Sequence, residues 1–332
     1  MSVLISCILP VHNNKNALVD NFGNLVYQTI YEKYGEDALE IILIDDASSD
    51  DTASAVDDLC AQFPGRVIGY HLPEHMSFGG SCNFGLDEAQ GQYVSFMNVS
   101  DMVDVAFYER IYEKATEGEY YYDYVDSPIY NEANEKIVIA TPVDFAGMLD
   151  PDKRNALLTD TGLIYSRIFR RSFLKEKGIR LRDHTVEGDS DEDFMAEVIC
   201  FAYAVNILPN PMYVRKKSPG KKEAFYVNNF VKRFSGFISS VIAVYGRLMS
   251  FPDYELVRLG AETFYLRKLS LAIRLFEKHL AAGEIQEPFD TQLAQTIRTA
   301  AETVLRTPLN ENPYAMQALG AASRERLGRY VQ

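Results

Sequence analysis

Along the first hundred residues, short apolar runs alternate with segments whose apolar positions recur every three to four residues. That is the pattern of parallel strands joined by crossover helices. Residues 3–9 (VLISCIL) form a continuous apolar run of strand length, closed by Pro10. Asn16 is then placed to cap a helix in which Leu18, Phe22, Leu25, Val26 and Ile30 share a buried face. Residues 40–44, 67–72 and 93–97 read as three further strands. Between them lie a helix carrying Ala55, Leu59 and Phe63, and a short helix at 81–89 after a Gly79–Gly80 turn. The expected class is α/β, an open, mostly parallel sheet flanked by helices.

Beyond Asp101 the pattern loosens. Residues 105–116 read as a helix, the Tyr-rich segment 119–130 as holding an edge strand, and 164–177 as a short strand followed by a helix. A helix at 194–203 precedes a strand at 206–208. Past Ser218 only helical periodicity is seen, at 227–246, 254–282 and 292–305. A boundary at 219–222 gives an α/β domain over 1–218 and a helical C-terminal region over 219–332.

A chain of 332 residues with 47% apolar content supplies a sizeable core. Its net charge of −14 excludes nucleic acid as the expected partner and makes any phosphate site local. The apolar stretch 237–244 falls far short of the roughly 20 residues that span a bilayer, and residues after Met1 lack a basic segment with a hydrophobic core. A cytoplasmic location is expected. Cys7, Cys60, Cys82 and Cys200 lie far apart, with no C-x-x-C pair, so reduced thiols are expected.

In an open parallel sheet, ligands bind at the carboxyl ends of the strands. Four such positions are polar: Pro10-Val11-His12-Asn13, Asp45-Asp46, Gly79-Gly80-Ser81-Cys82-Asn83 and Asn98-Val99-Ser100-Asp101. Read by themselves, Asp45 and Asp46 equally suit a helix-capping turn, and Asp101 suits a cap on the following helix.

These segments, in this order, resemble family 2 glycosyltransferases. Residues 6–13 resemble a hydrophobic run ending in P-x-Y-N, and 41–52 (IILIDDASSDDT) resemble V-D-D-G-S-x-D-x-T. Residues 78–91 resemble G-x-x-x-A-R-N-x-G-L-x-x-A-x-G, and 93–101 resemble the strand ending in D-x-D-D. The resemblance continues through 168–174, Glu192-Asp193-Phe194 and 211–215, covering about residues 3–218. It implies a GT-A fold and inverting transfer of a sugar from a nucleotide-diphosphate donor, UDP-linked in preference, to a glycan, lipid-linked or cell-surface polymer acceptor.

The resemblance also implies roles. Asp46 would accept hydrogen bonds from the nucleoside, His12 would pack on the base where the family has Tyr, and Pro10, Asn13 and Ser100 would complete the nucleotide pocket. Asp101 would hold a divalent metal, Mn²⁺ or Mg²⁺. Asp193 would be the general base, with Glu192 beside it toward the acceptor; a solvated acidic run with Asp191 as helix cap is the bland reading. By themselves, Arg215, Lys216 and Lys217 suit either contact with the diphosphate or an anionic acceptor or an ordinary surface cluster. Two departures stand out: Asn98 and Ser100 replace acids, and Cys82 replaces an Arg. They motivate the alternative of a degenerate domain that binds nucleotide or glycan, or supports a partner enzyme, without transfer.

Tyr120, Tyr121, Tyr122, Tyr124 and Tyr130 suit either packing or sugar stacking, packing first. In the helical tail, Lys232, Arg233, Phe234, Phe237, Tyr245 and Arg247 suit either a peripheral contact with the inner face of the cell membrane or packing, on the sheet or in a homo-oligomer. Packing is favoured.

Overall fold

The computed structural model describes residues 2–118, 121–182, 190–216, 230–285 and 289–330. The chain divides into two compact units. The first comprises Met1–Leu149, Leu163–Asp183 and Ala202–Pro219; the second comprises Asp150–Gly162, His184–Phe201 and Gly220–Gln332. The expected boundary at 219–222 lies outside the described residues.

The first unit is built around an eight-stranded sheet. Its strands are β1 (Ile5–Val11), β2 (Leu39–Asp45), β3 (Val67–His71), β4 (Tyr93–Phe96), β6 (Tyr124–Asp126), β9 (Gly147–Met148), β10 (Arg167–Arg170) and β11 (Ala204–Ile207). Their order is β3-β2-β1-β4-β10-β6-β11-β9. The run β3-β2-β1-β4 is parallel, β10 is antiparallel to both neighbours, and β6 pairs parallel with β11. A smaller sheet orders β5 (Met102–Val103), β12 (Tyr213–Arg215), β7 (Ile129–Asn131) and β8 (Lys136–Val138). This is the α/β architecture that the periodicity predicts. All seven residues of β2 are buried, as a strand covered on both faces requires.

Four local expectations change. β1 continues through Pro10, which stands opposite Ile44 on β2. Ile8 bonds toward β4 through Met97, so by alternation Pro10 faces that same side, past the last β1–β4 pair at Ile8–Phe96. No ladder bond is lost there, and the strand tolerates proline.

The single helix expected after Asn16 is three short ones: α1 (Lys15–Asn21), α2 (Gly23–Val26) and α3 (Ile30–Tyr34). Asn14, not Asn16, holds the cap position. Leu18, Phe22, Leu25, Val26 and Ile30 are all buried as expected. However, the Asn24 amide donates to the Asn21 carbonyl, and the Gln28 amide donates to the Asn24 carbonyl at 2.6 Å. These side chains take acceptors that a continuous helix would use.

α4 (Thr52–Gln62) follows β2, and α5 (Ser77–Glu88) follows β3. Gly79 and Gly80 lie buried inside α5 and form no turn. The helix sits close against the sheet: a Cβ at Gly85 would stand 2.5 Å from Ile8 Cγ2 and 2.8 Å from Ile44 Cδ1.

The strand in the Tyr-rich segment is β6, which is interior to the sheet rather than an edge. Tyr124 is fully buried, Tyr122 nearly so and Tyr121 84% exposed, while Tyr120 lies outside the described residues. Packing therefore accounts for Tyr122 and Tyr124. α6 (Phe107–Ala115) and α8 (Arg171–Lys177) complete the unit.

The second unit is helical: α7 (Pro151–Thr159), α9 (Ser190–Phe201), α10 (Phe230–Met249), α11 (Tyr254–Ala281), α12 (Phe289–Val304), α13 (Pro313–Ala318) and α14 (Ala321–Gly328). On α10, Ile238, Val241, Val244, Tyr245 and Leu248 are buried at helical spacing. Arg247 pairs with Glu197 of α9 at 3.3 Å. Tyr245 and Arg247 thus belong to this unit's own packing; the side chains of Lys232, Arg233, Phe234 and Phe237 lie outside the described residues. No described helix is long and apolar enough to cross a membrane.

Candidate functional site

Because β3, β2, β1 and β4 run parallel, their carboxyl ends share one rim, where the apolar runs give way to polar residues. β1 is followed by His12 and Asn13, both exposed, and its Pro10 is half-buried. Asn13 adopts φ +48° and ties the rim together. Its Oδ1 accepts from the Ser49 and Asp50 amides at 2.7 and 3.3 Å, and its own amide donates to Ser48 Oγ at 3.0 Å. Asn13 therefore fixes the Asp-Ala-Ser-Ser turn against β1.

Asp45 and Asp46 are each 3% exposed and do not cap α4; Asp51 holds its cap position, and the Asp50 carboxylate accepts from the Thr52 amide at 2.9 Å. Asp45 accepts from the Ser48 amide at 3.2 Å and faces His71 Nδ1 at 3.2 Å. His71 Nε2 meets Asp57 at 3.0 Å. Lying between two carboxylates, Asp57 first and then Asp45, the imidazole is held above its ordinary value.

Asp46 turns the other way. Its Oδ1 accepts from the Met76 amide at 2.7 Å, and its Oδ2 lies 2.9 Å from His75 Nδ1. Its carbonyl is 2.7 Å from His12 Nδ1. A carbonyl only accepts, so His12 carries its proton on Nδ1, leaving Nε2 to accept from the Asn13 amide at 3.0 Å. The His12 and His75 rings stand 4.4 Å apart. Ala47 (φ +52°) and Ser77 (φ +68°) flank this group in conformations that non-glycine residues seldom adopt.

After β4, the Asn98 amide oxygen accepts from the half-buried Ser100 N–H at 2.9 Å. Asp101 is 4% exposed and held by the β12 region: Tyr213 Oη donates to it at 2.7 Å and the Lys216 amide at 2.9 Å. Burial pushes its carboxyl above the usual value, against these two hydrogen bonds and the nearby Arg215. The Lys216 ammonium pairs with Glu132 at 3.0 Å. The fold thus brings Asp101, Arg215 and Lys216 together, whereas Lys217 lies outside the described residues. Cys82 is fully buried in α5.

Divalent cations take several oxygen ligands. Asp101 offers one carboxylate whose oxygens each accept a single hydrogen bond, and among the described residues no three acidic, His or Cys side chains form a group that could hold a metal ion. The set fits an ion completed by donor phosphate oxygens and water.

Glu192 and Asp193 lie in the second unit, in the first turn of α9. Asp193 is 1% exposed, and the buried Lys268 of α11 places its ammonium 3.0 Å from Glu192 and 3.7 Å from Asp193. Asp191, expected as the cap, lies within the helix and is buried, because α9 begins at Ser190. Glu187 and Asp189 lie outside the described residues.

Four residues of these clusters escaped the sequence reading: His71, His75, Tyr213 as the clasp on Asp101, and Lys268. His71 and His75 bracket the end of β3, where strand-end polarity is the signal that points to them. Lys268 comes from a distant helix and carries no such signal.

The model of glycosyl transferase family 2 matches residues 6–177, more than half the chain. Glycosyltransferase GlyG of Streptococcus pneumoniae serotype 4 is 30% identical over 138 residues, 39% of this chain and 44% of that protein. The GalNAc(5)-diNAcBac-PP-undecaprenol β-1,3-glucosyltransferase of Campylobacter jejuni is 29% identical over 180 residues, 52% and 53% of the two chains. These matches span about half the length of those relatives. The crystal structure of S. aureus TarS 1–349 in complex with UDP-GlcNAc superposes with a TM-score of 0.73 at 14% identity, covering 98% of this chain and 88% of that one. At that identity the likeness speaks for the fold alone, which is GT-A. Family match and architecture agree: this chain belongs to glycosyl transferase family 2.

Proposed function

We propose that the chain transfers a sugar with inversion from a UDP-linked donor to a glycan or lipid-linked acceptor in cell-surface polymer assembly. The observation that carries the reading is Asp46: a buried carboxylate at the carboxyl end of β2, with the His12 ring beside it, where the family resemblance puts the nucleoside's acceptor. Pro10 and Asn13 shape that pocket, and Ser100 closes it on the β4 side. The UDP-GlcNAc complex of a protein of like fold supports the choice of base, and the undecaprenol-linked glycan in the Campylobacter relative's name supports the acceptor class. Such an acceptor would bring the chain to the inner face of the membrane.

Asp101 would hold Mn²⁺ or Mg²⁺, which when bound neutralises charge on the diphosphate. Arg215 and Lys216 add positive charge beside it. Asp193 would take the acceptor hydroxyl's proton as that oxygen bonds to the anomeric carbon and the bond to the diphosphate breaks on the opposite face. Glu192 would orient the acceptor. Lys268 balances the buried charge of Asp193, and its removal would test that pairing.

Buried Cys82, with Asn98 and Ser100, favours a second reading in which the domain binds donor without transfer. UDP release with Mn²⁺, measured across UDP-sugars, separates the two. Turnover that falls about 10²–10⁴-fold in Asp193→Asn, with calorimetric UDP affinity unchanged, supports the enzyme. UDP binding with no turnover for any donor supports the second reading, and binding of neither UDP nor GDP sinks both.

A further inference from the structure

We infer that His75 gates the nucleoside pocket by occupying Asp46 in place of the nucleobase, a reading that rests on Asp46 as the base's acceptor. Both carboxylate oxygens of Asp46 are engaged: Oδ1 by the Met76 amide at 2.7 Å, Oδ2 by His75 Nδ1 at 2.9 Å. The Met76 bond comes from backbone and belongs to the fold of the loop. The His75 bond comes from a side chain 58% exposed, so its release uncovers little apolar surface. An imide N–H of a pyrimidine is the same kind of donor as a ring N–H of imidazole, and the two compete for one oxygen.

Ring spacing argues the same way. A base held between His12 and His75 would need them about 7 Å apart, twice a carbon–carbon contact of about 3.5 Å. They stand 4.4 Å apart, so no base enters until the His75 ring leaves. His12 is pinned to the Asp46 carbonyl and to Asn13, which makes His75 the mobile partner. His75 sits in the connection between β3 and α5, which exits through Ser77 at φ +68°. A backbone angle of that kind is one that a loop movement relieves. Binding then draws on the fraction of molecules with His75 swung away, and the apparent dissociation constant is the intrinsic one divided by that fraction.

The test is stopped-flow and calorimetric binding of UDP, with Mn²⁺ present, to the full chain and to His75→Ala, Asp46→Asn and the double variant, each checked for an unchanged circular dichroism melt. Removing the ring should tighten UDP binding, about 10-fold if the open fraction is about one in ten, through a faster association rate. Asp46→Asn should weaken binding in both backgrounds. If Asp46→Asn weakens binding while His75→Ala weakens it too or leaves it unchanged, the gate is wrong and the nucleoside assignment stands. If Asp46→Asn has no effect, the assignment itself fails and takes the gate with it. Should His75→Ala lower the melt, His75→Gln, which keeps a donor of similar reach, must restore the parent's slower association; failure to do so also overturns the gate.

Discussion

At the end of β2 two neighbouring carboxylates point to opposite sides, as alternation along a strand dictates: Asp45 toward His71, Asp46 toward His75 and Met76. The Asp45 side has a pH signature. His71 is held above its ordinary value by Asp57 and Asp45. A histidine with a raised folded-state value contributes stability fully below the unfolded value, near about 6.5, and loses it as pH rises through the raised value. Melts of the parent and His71→Gln from acid to alkaline pH should therefore differ most on the acid side and converge at high pH. A gap that widens with rising pH would refute the assignment. In the second unit, Lys268 is 2% exposed beside Asp193 at 1%, so truncating the cation breaks a buried ion pair. Lys268→Met, which keeps packing volume against Phe264, should lose about 3–5 kcal/mol in urea denaturation. A loss within experimental error would mean that Asp193 is solvated or otherwise balanced.

Elements differed in how far their residues announced them. Three of the four parallel strands were legible because a strand buried on both faces must be an apolar run, and β1, β2 and β4 are such runs. The break between α1 and α3 was hidden because the competing donors are the side-chain amides of Asn24 and Gln28, polar residues on an otherwise regular pattern. α7 was missed for a related reason. It buries Arg154 and Asn155, so the apolar period is absent from its sequence. Arg154 donates to the Ile199 and Cys200 carbonyls at 2.6 and 2.9 Å, and Asn155 binds the Leu256 carbonyl at 2.8 Å and the Gly260 amide at 2.7 Å. That contact fixes how near α7 and α11 approach: a Cβ on Gly260 would lie 2.6 Å from Asn155 Cα and 2.7 Å from its carbonyl oxygen. Alanine gains about 1 kcal/mol of helix propensity over glycine, but overpacking against backbone costs about 1–3 kcal/mol. Gly260→Ala should therefore lower stability, by up to about 2 kcal/mol, with an unchanged denaturant slope. A stabilised variant would show that the two helices have room to part.

For the whole molecule, composition was informative about charge and silent about chemistry. A net charge of −14 surrounds a site proposed to bind an anionic donor, and the Lys216 ammonium there is already paired with Glu132. Long-range repulsion of UDP should be strong when the Debye length is about 30 Å, at roughly 0.01 M salt, and weak at about 8 Å, near 0.15 M. The association rate should accordingly rise with NaCl over that range; a steep fall would mean that local cations dominate the approach. Strand-end polarity marked His12, Asp46 and Asp101 in the sequence, because ligand-facing rims interrupt apolar runs. It did not mark Tyr213, which meets Asp101 only through the fold, nor Lys268, which reaches Glu192 and Asp193 from a distant helix.

The parallel run β3-β2-β1-β4 is also contiguous in the chain, and the sheet first changes direction at β10. Every group assigned to the nucleoside therefore comes from one uninterrupted stretch ending near Asp101, encoded before the mixed half of the sheet begins. Such a stretch is a natural cassette: recombination between relatives with a crossover just past β4 would exchange whole the rim proposed to read the donor. The clasp of Tyr213 and the Lys216 amide on Asp101 crosses that seam. A productive chimaera must inherit a compatible β12 along with its new rim, as it must the Asn83–Leu181 and Asp87–Arg180 contacts that cross the same seam, and these dependencies limit how freely the rim can be exchanged on this scaffold.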